Sequence, residues 1–154
     1  MRRKDREVTN TNEILEIIKE CKVCRLAMQD ENGLYIVPLN FGYTYINDTL
    51  TLYFHSAKTG RKIKALNKYP NVAIEMDCKH ALIESDIACG YGYAYKSIIG
   101  SGIVSFINDI EAKKLALSLL MQHQTGKDFI FTEEMMKPVS VFKVELKTFT
   151  GKQH

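Results

Sequence analysis

The sequence predicts a mainly β protein of six or seven antiparallel strands with peripheral helices, curled toward a barrel. Three observations lead there. Thr49 to His55 alternates strictly, with Leu50, Leu52 and Phe54 on one face and Thr51, Tyr53 and His55 on the other, which is the period of a half-buried strand. Near the C-terminus Phe142, Val144 and Leu146 alternate in the same way with Lys143, Glu145 and Lys147. Turn signals, among them Asp30-Glu31-Asn32-Gly33 and Asn47-Asp48, separate the strand-like runs at hairpin spacing. An open sheet of this many strands leaves exposed edges, and closing it into a barrel removes them.

Residues 1–9 read as a flexible arm, and 10–154 as one domain. Asn10 and Glu13 have capping-box spacing, and Ile14, Leu15, Ile17, Ile18 and Cys21 follow on one helical face. Val23 to Gln29 is a strand. Leu34 to Tyr45 is another, with Pro38 marking an edge, a bulge or a bend, because proline cannot donate a ladder hydrogen bond. After the Thr49–His55 strand a short helix is expected from about Gly60 to Asn67, stopped by Tyr69-Pro70-Asn71. Val72 to Met76 is a strand, 77–86 is irregular, and 87–107 forms one long or two broken strands. Asn108 and Glu111 repeat the capping-box spacing ahead of a helix ending before Gly126, and Phe142 to Lys147 closes the chain's strand set.

At 154 residues the chain is long enough for one core without metal or disulfide staples, and a folded monomer of this size exposes about 7,900 Å². Composition is globular, with 45% hydrophobic and 25% charged residues. The net charge of +3 is spread over both signs, so no basic face for nucleic acid is expected. Ile87 to Ile107 is weakly charged but carries four glycines and a central Lys96, unlike a membrane-spanning helix. With no signal-peptide pattern at the N-terminus, the expectation is a cytoplasmic protein with four reduced thiols. Cys21-x-x-Cys24 and Cys78-x-His80 could be halves of a zinc site, but 53 residues separate them and buried free thiols account for them better, so no metal is expected. Gly100-Ser101-Gly102 lacks a dinucleotide fingerprint. No G-x-S-x-G occurs, and Met135-Met136 reads as core or loop filler.

The strongest chemical candidate is His55-Ser56-Ala57-Lys58-Thr59-Gly60-Arg61-Lys62. A strand ends in small polar residues, and a helix then opens on two adjacent cations. Free N–H groups, the helix dipole, a guanidinium and an ammonium together suit a phosphate dianion. The same turn also reads as a solvated helix start. His55 lies beside it and titrates near neutrality, and as a lone histidine it also reads as structural.

In chain order, Val23-Cys24-Arg25-Leu26-Ala27, Tyr35-Ile36-Val37-Pro38-Leu39-Asn40-Phe41, Leu52-Tyr53-Phe54-His55-Ser56-Ala57, Gly60-Arg61-Lys62, Tyr69-Pro70-Asn71-Val72, Tyr95-Lys96-Ser97-Ile98-Ile99-Gly100-Ser101-Gly102 and Thr150-Gly151-Lys152 resemble the flavin-binding split barrels of the pyridoxamine-5′-phosphate-oxidase superfamily. Within it they most resemble the 5-nitroimidazole-resistance (Nim-type) branch. The likeness covers about residues 10–152. It implies an FMN-binding split β-barrel that forms a homodimer with FMN at the subunit interface. By the same resemblance Pro38, Leu39, Asn40 and Phe41 pass along the isoalloxazine, while His55, Ser56 and Ala57 touch the cofactor. Gly60, Arg61 and Lys62 belong to the phosphate site, and Ser97, with Tyr95 and Lys152 as weaker transfers, reaches the flavin from the partner. His55 is the expected catalytic residue.

The implied activity is reduction of a small electron-poor substrate, with electrons from a reduced nicotinamide or a protein donor. The alternatives are a non-catalytic FMN or haem binding or storage protein, or a pyridoxamine-phosphate-oxidase-like enzyme. Pyridoxamine-phosphate oxidases carry a tryptophan and an arginine-containing substrate motif near the C-terminus. This chain has no tryptophan and ends in Thr150-Gly151-Lys152-Gln153-His154.

Overall fold

A computed structural model describes residues 2–154. A single antiparallel sheet of eight strands carries the fold, in the order β3-β2-β6-β7-β8-β5-β4, with β1 beside β8. The strands are β1 (Glu7–Val8), β2 (Val23–Asp30), β3 (Gly33–Asn40), β4 (Gly42–Ile46), β5 (Thr49–Ala57), β6 (Asn71–Ile83), β7 (Gly92–Ile107) and β8 (Val139–Gln153). The helices are α1 (Thr11–Glu20), α2 (Arg61–Lys68), α3 (Ile110–Thr125) and α4 (Glu133–Met136). The terminal strands of the path, β3 and β4, are consecutive in the chain yet do not pair. The sheet therefore wraps around a core but stays open at one seam, which makes it a split barrel.

Strand alternation fills the interior. Leu26 and Met28, Leu50, Leu52 and Phe54, Ile74 and Met76, Ile98, and Phe142, Val144 and Leu146 are at most 2% exposed. Phe54 stacks on Phe142 at a centroid distance of 5.2 Å. Helix α1 adds Ile17 and Ile18 to the same core, and its N-terminus is capped as expected, because the Asn10 side chain accepts from the N–H groups of Asn12 and Glu13. Helix α3 packs on the outside of the barrel, where Ala116 and Leu117 meet Val141 and Met136 of α4. Gly42 is required at that contact, because a Cβ there would collide with the α3 backbone at Leu119 and Leu120.

Several elements differ from the expectation. The chain ahead of α1 carries a 3₁₀ turn at Lys4–Arg6 and then β1, whose Val8 is buried opposite Gly151. Leu34–Tyr45 is two strands, broken at Phe41, so Pro38 sits on the edge strand β3. The stretch 77–83 is not irregular but continues β6 through a bulge between Cys78 and Ala81, with Lys79 at φ 58°. The last strand runs to Gln153, well past Lys147, while 87–107 takes the first of its two expected forms, one long strand from Gly92 to Ile107. The cap of α3 is Asp109 rather than Asn108, since its carboxylate accepts from the Ala112 N–H at 2.8 Å and its charge favours the helix N-terminus. Gly126 ends that helix at φ 70°.

The outer face of β3-β2-β6-β7 mixes exposed isoleucines with an ion pair, Arg25 to Glu75 at 2.9 Å. Register places Ile36, Ala27, Ala73 and Ser101 in one row and Pro38, Arg25, Glu75 and Ile99 in the next. Ile36, Ile99 and Ile103 are 63%, 55% and 59% exposed. The chain exposes 9453 Å² in all, about 1,500 Å² beyond the monomer expectation. No helix among the described residues is long and apolar enough to cross a membrane.

Candidate functional site

The C-terminal end of β5 pairs with the start of β8, His55 opposite Val141, Ser56 opposite Ser140 and Ala57 opposite Val139. Three residues later Gly60 takes φ 129° and ψ 171°, a conformation that favours glycine, and α2 begins. No side chain caps this helix start, so its first N–H groups remain available. The two cations that follow differ sharply. The Arg61 Nε–H donates to Asp30 Oδ2 at 2.5 Å, and its guanidinium carbon lies 4.0 Å from the centroid of the Tyr35 ring. Lys62 is half-buried. Desolvation holds its pKa below the usual lysine value, and no carboxylate charge offsets this. His55 is exposed, and its pKa is lowered by desolvation and then by the Lys62 charge, which keeps the imidazole neutral near pH 7.

Beside this helix start lies a cavity of about 570 Å³. Asp30 and Asn32 of the β2–β3 hairpin, Thr59, Arg61, Lys64 and Tyr69 are among its walls. His55 and Lys62 are outside its lining.

The expected cofactor residues fall into two groups. Ser56, Ala57, Gly60, Arg61 and Lys62 adjoin one another with His55 at the β5–α2 junction. Pro38, Leu39 and Asn40 lie on the edge strand, with Pro38 five residues from Gly33, about 17 Å along β3. Pro38 and Asn40 are exposed, but the Asn40 amide is committed, donating to the carbonyl of Lys22 and to Gln124 Oε1. The Phe41 ring is fully buried against His123, and its carbonyl accepts from Gln124 Nε2, so its side chain belongs to the core. Ser97 is 8% exposed, opposite Asp77 and Lys152. It lies ten residues along β7 from Ile107, the residue aligned with His55 through Val141, or about 33 Å of strand. Sequence reasoning missed Asp30 and Tyr35. A hairpin acid and a strand tyrosine have no local signature that pairs them with a cation far along the chain.

A second cavity, of about 880 Å³, lies between α1, β4 and α3. Two of its polar side chains, His123 and Lys22, tie α3 to the end of α1. His123 Nε2 meets the Cys21 carbonyl at 2.8 Å, and Lys22 Nζ donates to the His123 carbonyl at 2.7 Å. Cys21 and Cys24 are buried and unpaired, with burial pushing the Cys24 thiol up to about 12. Among the described residues no group of three or more His, Cys, Asp or Glu side chains is placed to hold a metal ion.

An eight-stranded barrel open between β3 and β4, with peripheral helices and a cationic strand-to-helix junction, defines a split-barrel protein. The model of the family described as pyridoxamine 5′-phosphate oxidase matches residues 10–153, and the chain belongs to that family. Among solved structures, a protein from Bacteroides thetaiotaomicron assigned to 5-nitroimidazole antibiotic resistance is 35% identical, with a TM-score of 0.82 over 96% of this chain and 86% of that one. The flavocytochrome Anf3 from Azotobacter vinelandii shares the fold at 14% identity and a TM-score of 0.80, over 100% of this chain and 72% of its own. An FAD and heme binding protein from Mycobacterium smegmatis does so at 15% identity and 0.80, over 96% and 73%. No curated protein matches the chain.

Proposed function

We propose that this chain binds FMN at the β5–α2 junction, as a homodimer with the flavin at the subunit interface, and works as an oxidoreductase on a small electron-poor substrate. The observation that carries the reading is Lys62, a half-buried cation without an anionic partner among the described residues, at an uncapped helix start. A desolvated charge of this kind is costly alone and favourable once a phosphate supplies the counter-charge. The open N–H groups after Gly60 add donors for the same oxygens, and the Ser56 hydroxyl stands at the adjoining strand end.

When bound, FMN supplies two-electron transfer from a reduced nicotinamide or a protein donor to the substrate, of which a nitroheterocycle is one candidate. His55, neutral near pH 7, is suited to donate a hydrogen bond from its imidazole N–H or to accept a proton at its other ring nitrogen. The exposed isoleucines of the outer face and the excess exposed surface support the dimer, because a second copy would cover both. The distance between Ser97 and His55 along one chain supports it too, since Ser97 then serves the partner's site. The FAD and haem named for the fold relatives make those groups the competing ligands.

Absorbance of the purified protein and titration with FMN test the reading. The expected result is a flavin spectrum that bleaches anaerobically with NADH or NADPH and recovers when a nitroimidazole is added. A protein that copurifies colourless and does not bind added FMN overturns it, and a haem band moves the site to haem. A flavin spectrum without bleaching by either donor, or without recovery, removes the proposed reaction and leaves the binding.

A further inference from the structure

We propose that Asp30 and Tyr35 are positioning residues that hold Arg61 as a ready-made fork for the phosphate of the ligand. This rests on the reading above and names what makes its anion site selective. The Arg61 Nε–H is spent on Asp30 Oδ2 at 2.5 Å, and the guanidinium face lies over Tyr35 at 4.0 Å. The two Nη groups have no partner among the described residues, and this is the edge with which arginine grips phosphate oxygens in pairs. Asp30 is not a mobile competitor for that edge. Its side chain is 11% exposed, and its other oxygen accepts the Asn32 N–H at 2.8 Å, so the hairpin turn fixes the carboxylate from one side and Arg61 from the other. The Arg61 hydrogen bond holds the Asp30 pKa below its ordinary value, which keeps the acceptor ionised throughout the neutral range.

Asp30 has two opposed effects on a phosphate. Its charge offsets that of Arg61 and lowers the general attraction, while its geometry removes most of the rotamer freedom that a free arginine loses on binding. Lys62 keeps the junction cationic whichever way Asp30 acts, so orientation is expected to dominate. The hairpin thus contributes a part of the site that reads the phosphate and ignores the rings.

The test is fluorescence titration of the full chain with FMN and with riboflavin, which lacks the phosphate. Asp30→Ala should weaken FMN by about tenfold, or about 1.4 kcal/mol, and leave riboflavin unchanged. Asp30→Asn keeps an oxygen facing the Nε–H and should stay within about twofold of wild type. Tyr35→Leu, which leaves the turn intact, should weaken FMN several-fold and spare riboflavin. In an Arg61→Ala background Asp30→Ala should have no further effect on FMN. Tighter FMN binding by both Asp30 variants, or an equal loss with and without Arg61, overturns the proposal. Failure of the wild-type chain to bind FMN removes the underlying reading and the proposal with it, whereas FMN binding indifferent to Asp30 and Tyr35 removes the proposal alone.

Discussion

Replacing Lys62 by methionine keeps the length and apolar stem of the side chain and deletes only the charge, so it separates what that charge does for folding from what it does for binding. In the free protein the ammonium is half-buried and desolvated, with no carboxylate among the described residues to offset it. Its folded pKa is below the unfolded value, so the unfolded chain binds the proton more tightly. The charge therefore costs stability at neutral pH, and the cost disappears as pH rises through the lysine range. Lys62→Met should accordingly melt at or above the wild-type temperature at pH 7. In the complex the balance reverses. A charge-assisted hydrogen bond is worth about 1.5–3 kcal/mol, so FMN affinity should drop by about 10- to 150-fold. Thermal melts and FMN titrations on the same preparations read both effects. A variant that binds FMN as well as wild type would place the phosphate elsewhere, and one that melts well below wild type would mean that Lys62 has a stabilising partner in the folded chain.

The exposed outer face predicts that Ile99→Glu gives half the wild-type mass in light scattering and loses flavin with it, because the new carboxylate stands opposite Glu75 in the register and is desolvated in the contact. An unchanged mass would exclude this face as the contact. His123, whose pKa is lowered by burial and by Lys22, should make stability fall as pH drops below the ordinary histidine value, since the unfolded chain takes up the proton first. Urea midpoints from pH 7.5 to 5 should show that slope, and His123→Gln should flatten it. Asn10→Ala removes the acceptor for two helix N–H groups and should cost about 1 kcal/mol in urea unfolding.

The parts of the fold that were legible in the sequence are those where one face is buried over the whole element. Leu50, Leu52 and Phe54 announce β5, and Phe142, Val144 and Leu146 announce the middle of β8, because each alternates against polar neighbours. Legibility ends where both faces have similar surroundings. Beyond Leu146, β8 runs on between β7 and β1 with threonines and lysines facing outward, and such residues read as loop. The β6 bulge adds a residue and breaks the period, so Lys79 and His80 look irregular although Ala81 to Ile83 still pair with β7. At the candidate site the helix start and its two cations follow from residue type and spacing. The difference between the cations does not. Arg61 is bound to an acid 31 residues earlier, and only the folding of the β2–β3 hairpin against α2 reveals that Arg61 has an acid partner while Lys62 has none among the described residues.

The length of β7 has a genetic consequence. If Ser97 of one copy completes the junction of the other, a chain disabled at Arg61 and Lys62 and a chain disabled at Ser97 are defective for opposite reasons. Mixed in one cell, they should assemble pairs in which one cleft inherits both lesions and the other inherits none. Two alleles that are inactive apart would then recover up to half the activity per mixed pair, an outcome unavailable to a protein that builds its whole cleft from a single chain.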